Sequence, residues 1–337
     1  MLFRRKNPPH PLDDTLFGWN PPLEPYRVRD LLNGGALVLG RAGSGKTNSS
    51  GRLLGQSIMS HPRSAGLILA AKPEDCDMWK AVAAQAGRLD DLIVLDAAGP
   101  HRCNYLSDLG QAQAMNVVQV LLMIGQALKR GEGHGENDQF WETFKAGILY
   151  NAVVPAQTAG DPLEPWRLHS FIKFAANAPA ELGTPAWEEG YHARVLKQVE
   201  QTALPPLAEH GFRLAKDFWL KEYPAMDPKL RSNGLAGVRN ILYTFNAGIV
   251  REMVGGATNC SPDDILLNGW WVLVNFPVST WHAVGAFIST GWKYLTELAI
   301  LQRRAADDSP FCCIRSDESS TTCNQFDADF ICQARSR

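Results

Sequence analysis

The sequence predicts an α/β protein in which a mainly parallel sheet flanked by helices is interrupted by an all-helical insertion. Three observations carry this. Short apolar runs alternate with helical periodicity over residues 36–95 and again from 269 onward. A glycine loop with the spacing GxxxxGK(S/T), from Gly40 to Thr47, lies between one such run and the helix that follows it. Between residues 111 and 261 the strand signal gives way to helical periodicity alone.

The loop is the organising stretch. Ala36-Leu37-Val38-Leu39 reads as the strand that feeds it, and residues 47–58 as the helix that leaves it. Gly40, Gly43 and Gly45 allow backbone angles and close approaches that a Cβ forbids, so successive amides can surround one phosphate. Arg41, Ala42, Ser44 and Asn48 complete the residues expected to line a nucleotide there. Lys46 brings a point charge to the β- and γ-phosphates, and the Thr47 hydroxyl is a candidate ligand for Mg²⁺.

Residues 1–30 hold Pro8, Pro9, Pro11, Pro21, Pro22 and Pro25 and read as an extended arm, with Phe17 and Trp19 as its anchors. Residues 65–71 form a buried strand, 74–86 a helix with Trp79 and Val82 on one face, and 92–95 a further strand. This order implies parallel pairing with right-handed crossovers, and ligands then gather at the carboxyl ends of strands, where Gly40, Lys72 and Asp96 fall. Lys72 reads equally well as a contact to nucleotide or a neighbouring subunit and as a solvated lysine closing a strand before Pro73.

The helical stretch begins with residues 111–130, apolar on one face through Val117, Val118, Val120, Leu121, Leu122 and Ile124. Asp138 can cap a second helix whose Phe140, Trp141, Phe144, Ile148 and Leu149 are expected in the core. Lys129 and Arg130 open a flexible, partly basic loop between the two. Further helices are expected over 165–176, 185–202 and 231–254.

Sheet character returns at 269–277, followed by a helix at 283–304 with Trp292, Leu295, Leu298 and Leu301 toward the sheet. Phe311-Cys312-Cys313-Ile314 then lifts Asp317 to the end of a strand, where it can hold Mg²⁺ through water, and Glu318 beside it can polarise an attacking water. Arg315 and Ser316 are more polar than a fully buried strand would carry. Residues 324–337 read as a helix with Phe326, Phe330, Ile331 and Ala334 inward. Arg335, with Arg337 in reserve, reads either as a guanidinium for a neighbour's γ-phosphate or as a cation favourably placed near a helix C-terminus.

Bulk properties bound the partners. The 337 residues carry a formal net charge of −2, so no global basic field announces a nucleic acid, and any such contact must come from a local patch. Seven scattered cysteines without a CxxC pair fit a reducing cytosol. No uninterrupted apolar run approaches a membrane span and none follows the basic start, so a soluble chain without an export signal is expected.

Taken together, GRAGSGKT, KPEDCDMW, CNYL, DQFW, LVNFPV and the tract from Asp317 to Arg337 resemble the TraD/TraG-type conjugative coupling ATPases of the HerA/FtsK superfamily. The similarity runs from about residue 31 to the end. It implies a RecA-like motor domain (31–110 plus 262–337), with its last strands missing, interrupted by an all-helical domain at 111–261. It also implies a homo-hexameric ring that moves DNA with a relaxase into a type IV secretion channel. Lys46, Thr47, Asp317, Glu318 and Arg335 then fall on the family's phosphate, magnesium, water-activating and trans-arginine positions. Three departures stand out: no membrane-spanning N-terminal helices, Tyr105 where the family often has proline, and no strand after residue 337 to carry a γ-phosphate-sensing glutamine, which suggests a truncated sequence.

The resulting expectation is an ATP- and Mg²⁺-dependent DNA translocase in the cytoplasm, free or peripheral to an inner-membrane channel. A protein-translocating secretion ATPase and a nucleotide-gated adaptor that does not translocate are the alternatives.

Overall fold

The computed structural model describes residues 11–41, 43–109, 112–127, 138–304 and 309–334. The chain divides into two compact units, residues 1–99 with 261–337 and residues 100–260.

The first unit is built on a four-stranded, all-parallel sheet. Its strands are β3 (Ser64–Leu69), β4 (Leu92–Leu95), β5 (Trp271–Val274) and β6 (Phe311–Ser316), in the spatial order β4-β5-β3-β6. Gly66 pairs with Trp271, and Leu69 with both Val274 and Ser316. A small antiparallel pair, β1 (Thr15–Phe17) and β2 (Tyr26–Arg27), precedes the sheet. The helices of this unit are α1 (Val28–Gly34), α2 (Arg52–Met59), α3 (Asp75–Gln85), α13 (Pro262–Asn268), α14 (Val278–Gln302) and α15 (Phe326–Gln333).

Central strands β3 and β5 are buried along their whole length, as continuous apolar runs in a covered parallel sheet should be. On one face Ile68, Trp271 and Leu273 pack with Ile58, Met59, Trp79 and Val82 from α2 and α3. Leu67, Val272 and Val274, which alternate with them, are equally buried, and α13 and α14 lie against β3.

Several expectations are corrected here. Residues 36–39 form no strand, and Leu37 and Leu39 are each 81% exposed. A strand exists only by its ladder, and no described strand pairs with this stretch. The described part of the N-terminal arm is folded rather than extended: Val28 is buried, and Leu12, Leu16 and Tyr26 pack on the core. Phe17 stacks on Tyr26 at 5.0 Å, whereas Trp19 is 53% exposed and anchors nothing deep. α15 has no buried residue, and Ile331 faces out at 68% exposure, because α15 rests on α14 through Phe326 alone among its rings, edge-on to Tyr294 at 5.0 Å. In α14 the buried residues include Phe287, Ile288, Trp292 and Ile300, whereas Leu295, Leu298 and Leu301 are half-buried; the helix is also broken at His282 (φ 48°). No described helix is long and apolar enough to cross a membrane.

The second unit is helical. It contains α4 (Ala114–Gln126), α5 (Asp138–Thr158), α6 (Pro165–Lys173), α7 (Pro185–Glu188), α8 (Tyr191–Glu200), α9 (Pro206–Asp217), α10 (Tyr223–Ala225), α11 (Pro228–Phe245) and α12 (Gly248–Val254). An aromatic cluster of Phe171, His192, Trp219 and Tyr223 lies in its interior. Its two ends are tied together: Asn259 N donates to Arg102 O at 2.9 Å, and Arg102 N donates to Asn259 Oδ1 at 2.7 Å. Cys103 N likewise donates to Met253 O at 2.9 Å. The insertion therefore starts about ten residues before the expected position, and the CNYL turn belongs to it. At the start of α5, Phe140 is 52% exposed instead of core, in ring contact with Trp141 at 5.0 Å. The Asp138 cap and the Lys129/Arg130 loop fall outside what the described residues and side chains cover.

Candidate phosphate-loop site

In the phosphate loop Ser44 N donates to Arg41 O at 3.1 Å. Gly43 and Gly45 have φ of 75° and 81°, the left-handed region that a side chain resists. A β-carbon at Gly40 would collide with the Ser44 side chain. Sequence and backbone thus agree on why these positions are glycine.

Immediately after the loop, Thr47–Gly51 winds as a π-helical turn before α2 begins. Ser49 N donates to Gly45 O at 2.8 Å and Gly51 N to Lys46 O at 2.8 Å, so the chain leaves the loop with its carbonyls engaged. Lys46 is half-buried at the N-cap of this turn.

The decisive contact joins residues 270 positions apart: Thr47 Oγ1 donates to Asp317 Oδ2 at 2.7 Å. β6 ends at Ser316, so its direction delivers Asp317 to the mouth of the glycine loop. The other carboxylate oxygen, Oδ1, accepts from Glu318 N at 3.1 Å. Glu318 itself is exposed and held at φ 51°, ψ 49°, a left-handed conformation that costs a non-glycine residue about 1–2 kcal/mol. Such strain is kept only where the surroundings impose it, and the turn after it does so: Thr321 N and Thr321 Oγ1 both donate to Glu318 O, at 2.8 and 2.9 Å.

A residue whose role the sequence did not reveal is Arg315. Its guanidinium lies 4.7 Å from the centroid of the Trp79 ring, and Nη1 donates to Gly51 O at 3.2 Å. A β-carbon at Gly51 would come within 2.8 Å of Arg315 Nη2 and 2.7 Å of Lys46 O. Arg315 therefore fastens β6 to the turn that follows the phosphate loop. Burial pushes its pKa down, while Asp317 pulls it back up. The polarity that marked Arg315 as odd for a buried strand is the signal that could have identified it; β6 is in fact a half-buried edge.

Lys72 and Asp96 end their strands without joining this cluster. Lys72 N donates to Asp75 Oδ2 at 2.9 Å, an ordinary start for α3, and Asp96 Oδ1 accepts from Gly99 N at 2.6 Å. Ala42, Arg335 and Arg337 lie outside the described residues, as does the Asn48 side chain.

The residues fit a metal–triphosphate group. Gly43 and Gly45 hold backbone angles that a side chain resists, and one hydroxyl and one carboxylate oxygen, Thr47 Oγ1 and Asp317 Oδ2, meet beside the loop. Thr47 and Asp317 would hold Mg²⁺ together with phosphate and water oxygens, as this ion prefers. Comparison with known proteins yields no match: no family model, no curated protein and no solved structure matches the chain.

Proposed function

We propose that the chain is a P-loop ATPase subunit of the conjugative coupling type, an ATP-driven DNA translocase acting as a homo-hexameric ring with a relaxase or secretion-channel partner. The observation that carries the ATPase reading is the 2.7 Å contact from Thr47 Oγ1 to Asp317 Oδ2. It brings the end of the GxxxxGK(S/T) loop and the end of a distant strand to one point, as phosphoryl transfer requires. The four-stranded parallel sheet with its helical insertion is compatible with a RecA-like motor.

In this reading the loop amides and Lys46 hold the β- and γ-phosphates. Thr47 and Asp317 would hold Mg²⁺, which would supply positive charge against the phosphate oxygens. Glu318 accepts a proton from the attacking water, and Arg335 of a neighbouring subunit stabilises the γ-phosphoryl group in transit. DNA would be held mainly through its phosphates, giving salt-sensitive and weakly sequence-dependent binding.

The test is ATP hydrolysis with and without single- and double-stranded DNA. Stimulation by either form supports the translocase. Hydrolysis indifferent to both, together with DNA affinity that does not change with salt, sinks the DNA reading and favours a secretion ATPase; tight ATP binding with no turnover favours the adaptor.

A further inference from the structure

Beneath the turn that carries the acidic pair lies a buried ionic cluster that the phosphate-site reading does not use. Lys293 and Glu297, one turn apart on α14, are 8% and 2% exposed, and Asp327 comes from α15. Lys293 Nζ lies 2.5 Å from Asp327 Oδ2 and 3.6 Å from Glu297 Oε1, and donates to Thr322 O at 3.3 Å. Two buried ionisable side chains on an apolar helix, closed by a half-buried aspartate from the next one, cost more than hydrophobic replacements would, so their presence calls for a task.

The contacts around Lys293 show what that task is. Thr322 is buried, and its Oγ1 is 2.9 Å from Ser316 Oγ, the last residue of β6. Asp327 Oδ2 also accepts from Asn324 N at 3.2 Å, which fixes the start of α15. The stretch from Ser316 to Asp327 is thus closed into one loop, with the strained Glu318 near its top and a lysine ammonium at its base. Thr322 O is a main-chain acceptor, so no side-chain change along the loop can replace the lysine's grip on it.

We propose that Lys293 is a positioning residue: by gripping Thr322 O and Asp327 it holds the 316–327 loop so that Asp317 meets Thr47 and Glu318 keeps its left-handed conformation. This deepens the ATPase reading and rests on it for the catalytic consequence. The structural part, anchoring of the loop, stands independently. Misplacing a catalytic group by an ångström costs on the order of 100-fold in rate, so the anchor matters out of proportion to its contact energy.

The test compares the wild-type chain with Lys293→Met, Lys293→Arg and the neutral set Lys293→Met/Glu297→Gln/Asp327→Asn. Two readouts are taken: hydrogen exchange of the main chain over 319–323, and kcat and KM for Mg-ATP. The neutral set leaves no buried charge unpaired, so it keeps the test open if Lys293→Met folds poorly. Expected is exchange faster by roughly tenfold or more over 319–323 in both Lys293→Met and the neutral set, with β3 unchanged. kcat should fall about 10- to 100-fold with KM within about threefold, and Lys293→Arg should recover much of both. Unchanged exchange in the neutral set overturns the anchor, and a loosened loop with wild-type kcat overturns its catalytic role. A wild-type chain that hydrolyses no nucleoside triphosphate overturns the ATPase reading instead, while the exchange measurement still decides the anchor.

Discussion

Glu318 has the clearest tension between conformation and chemistry. It adopts a backbone geometry that favours glycine, at the one position where the reading needs a carboxylate to take a proton from water. Glu318→Gly should therefore stabilise the fold by about 1 kcal/mol, seen as a higher Tm, while abolishing ATP turnover. Glu318→Gln should bind Mg-ATP normally and hydrolyse it about 100- to 10,000-fold more slowly, measured by single-turnover kinetics. Retained turnover in either would remove Glu318 from the mechanism. A second residue-scale prediction concerns Glu297, whose pKa burial raises from 4.5 to about 7, with Asp327 adding to the rise and Lys293 opposing it. The folded chain keeps this proton up to about pH 7, whereas the unfolded chain releases it near 4.5, so stability falls as pH rises between those values and levels off above them. Glu297→Gln should flatten that slope in denaturant titrations across the same window. Lys293 and Glu297 were illegible as a buried pair, because an i,i+4 Lys–Glu spacing on a long helix is the usual mark of a solvated face.

Elements differ in how much their own residues reveal about them. β3, β4, β5 and β6 were readable because their apolar runs are short and bounded by turn residues, and the phosphate loop because its spacing is itself the chemistry. Residues 36–39 have the same apolar character yet form no strand, since pairing is decided by a neighbour that the local sequence does not name. α15 was placed correctly but given a buried face it lacks, because periodicity reports which residues share a side and not what covers that side. The join between β6 and the Thr47–Gly51 turn depends on Arg315 lying over Trp79. Arg315→Leu should lower stability by about 1–2 kcal/mol through the lost cation–π and hydrogen-bond contacts, and should weaken nucleotide affinity as well. Thermal melts and nucleotide titrations check the two effects; lost stability with intact affinity would make Arg315 a packing residue only.

For the molecule as a whole, an insertion was legible from the change of periodicity near residue 111, but its true edge lies at residue 100. The intervening stretch has no helical or strand rhythm to read, and its membership is decided by main-chain bonds such as Cys103 N to Met253 O. Because both ends of this unit are bonded to each other, residues 100–260 expressed alone should fold cooperatively with helical circular dichroism. A non-cooperative, unfolded fragment would show that the unit depends on the rest of the chain. The central claim is that two distant stretches form one magnesium–triphosphate site, and equilibrium binding of a non-hydrolysable ATP analogue with and without Mg²⁺ tests it most directly. The account predicts Mg²⁺-dependent binding by the wild-type chain, weakened roughly 10- to 100-fold by Asp317→Asn or Thr47→Ala and spared by Thr47→Ser. Affinity that ignores Mg²⁺, or is the same in Asp317→Asn as in the wild type, would contradict it.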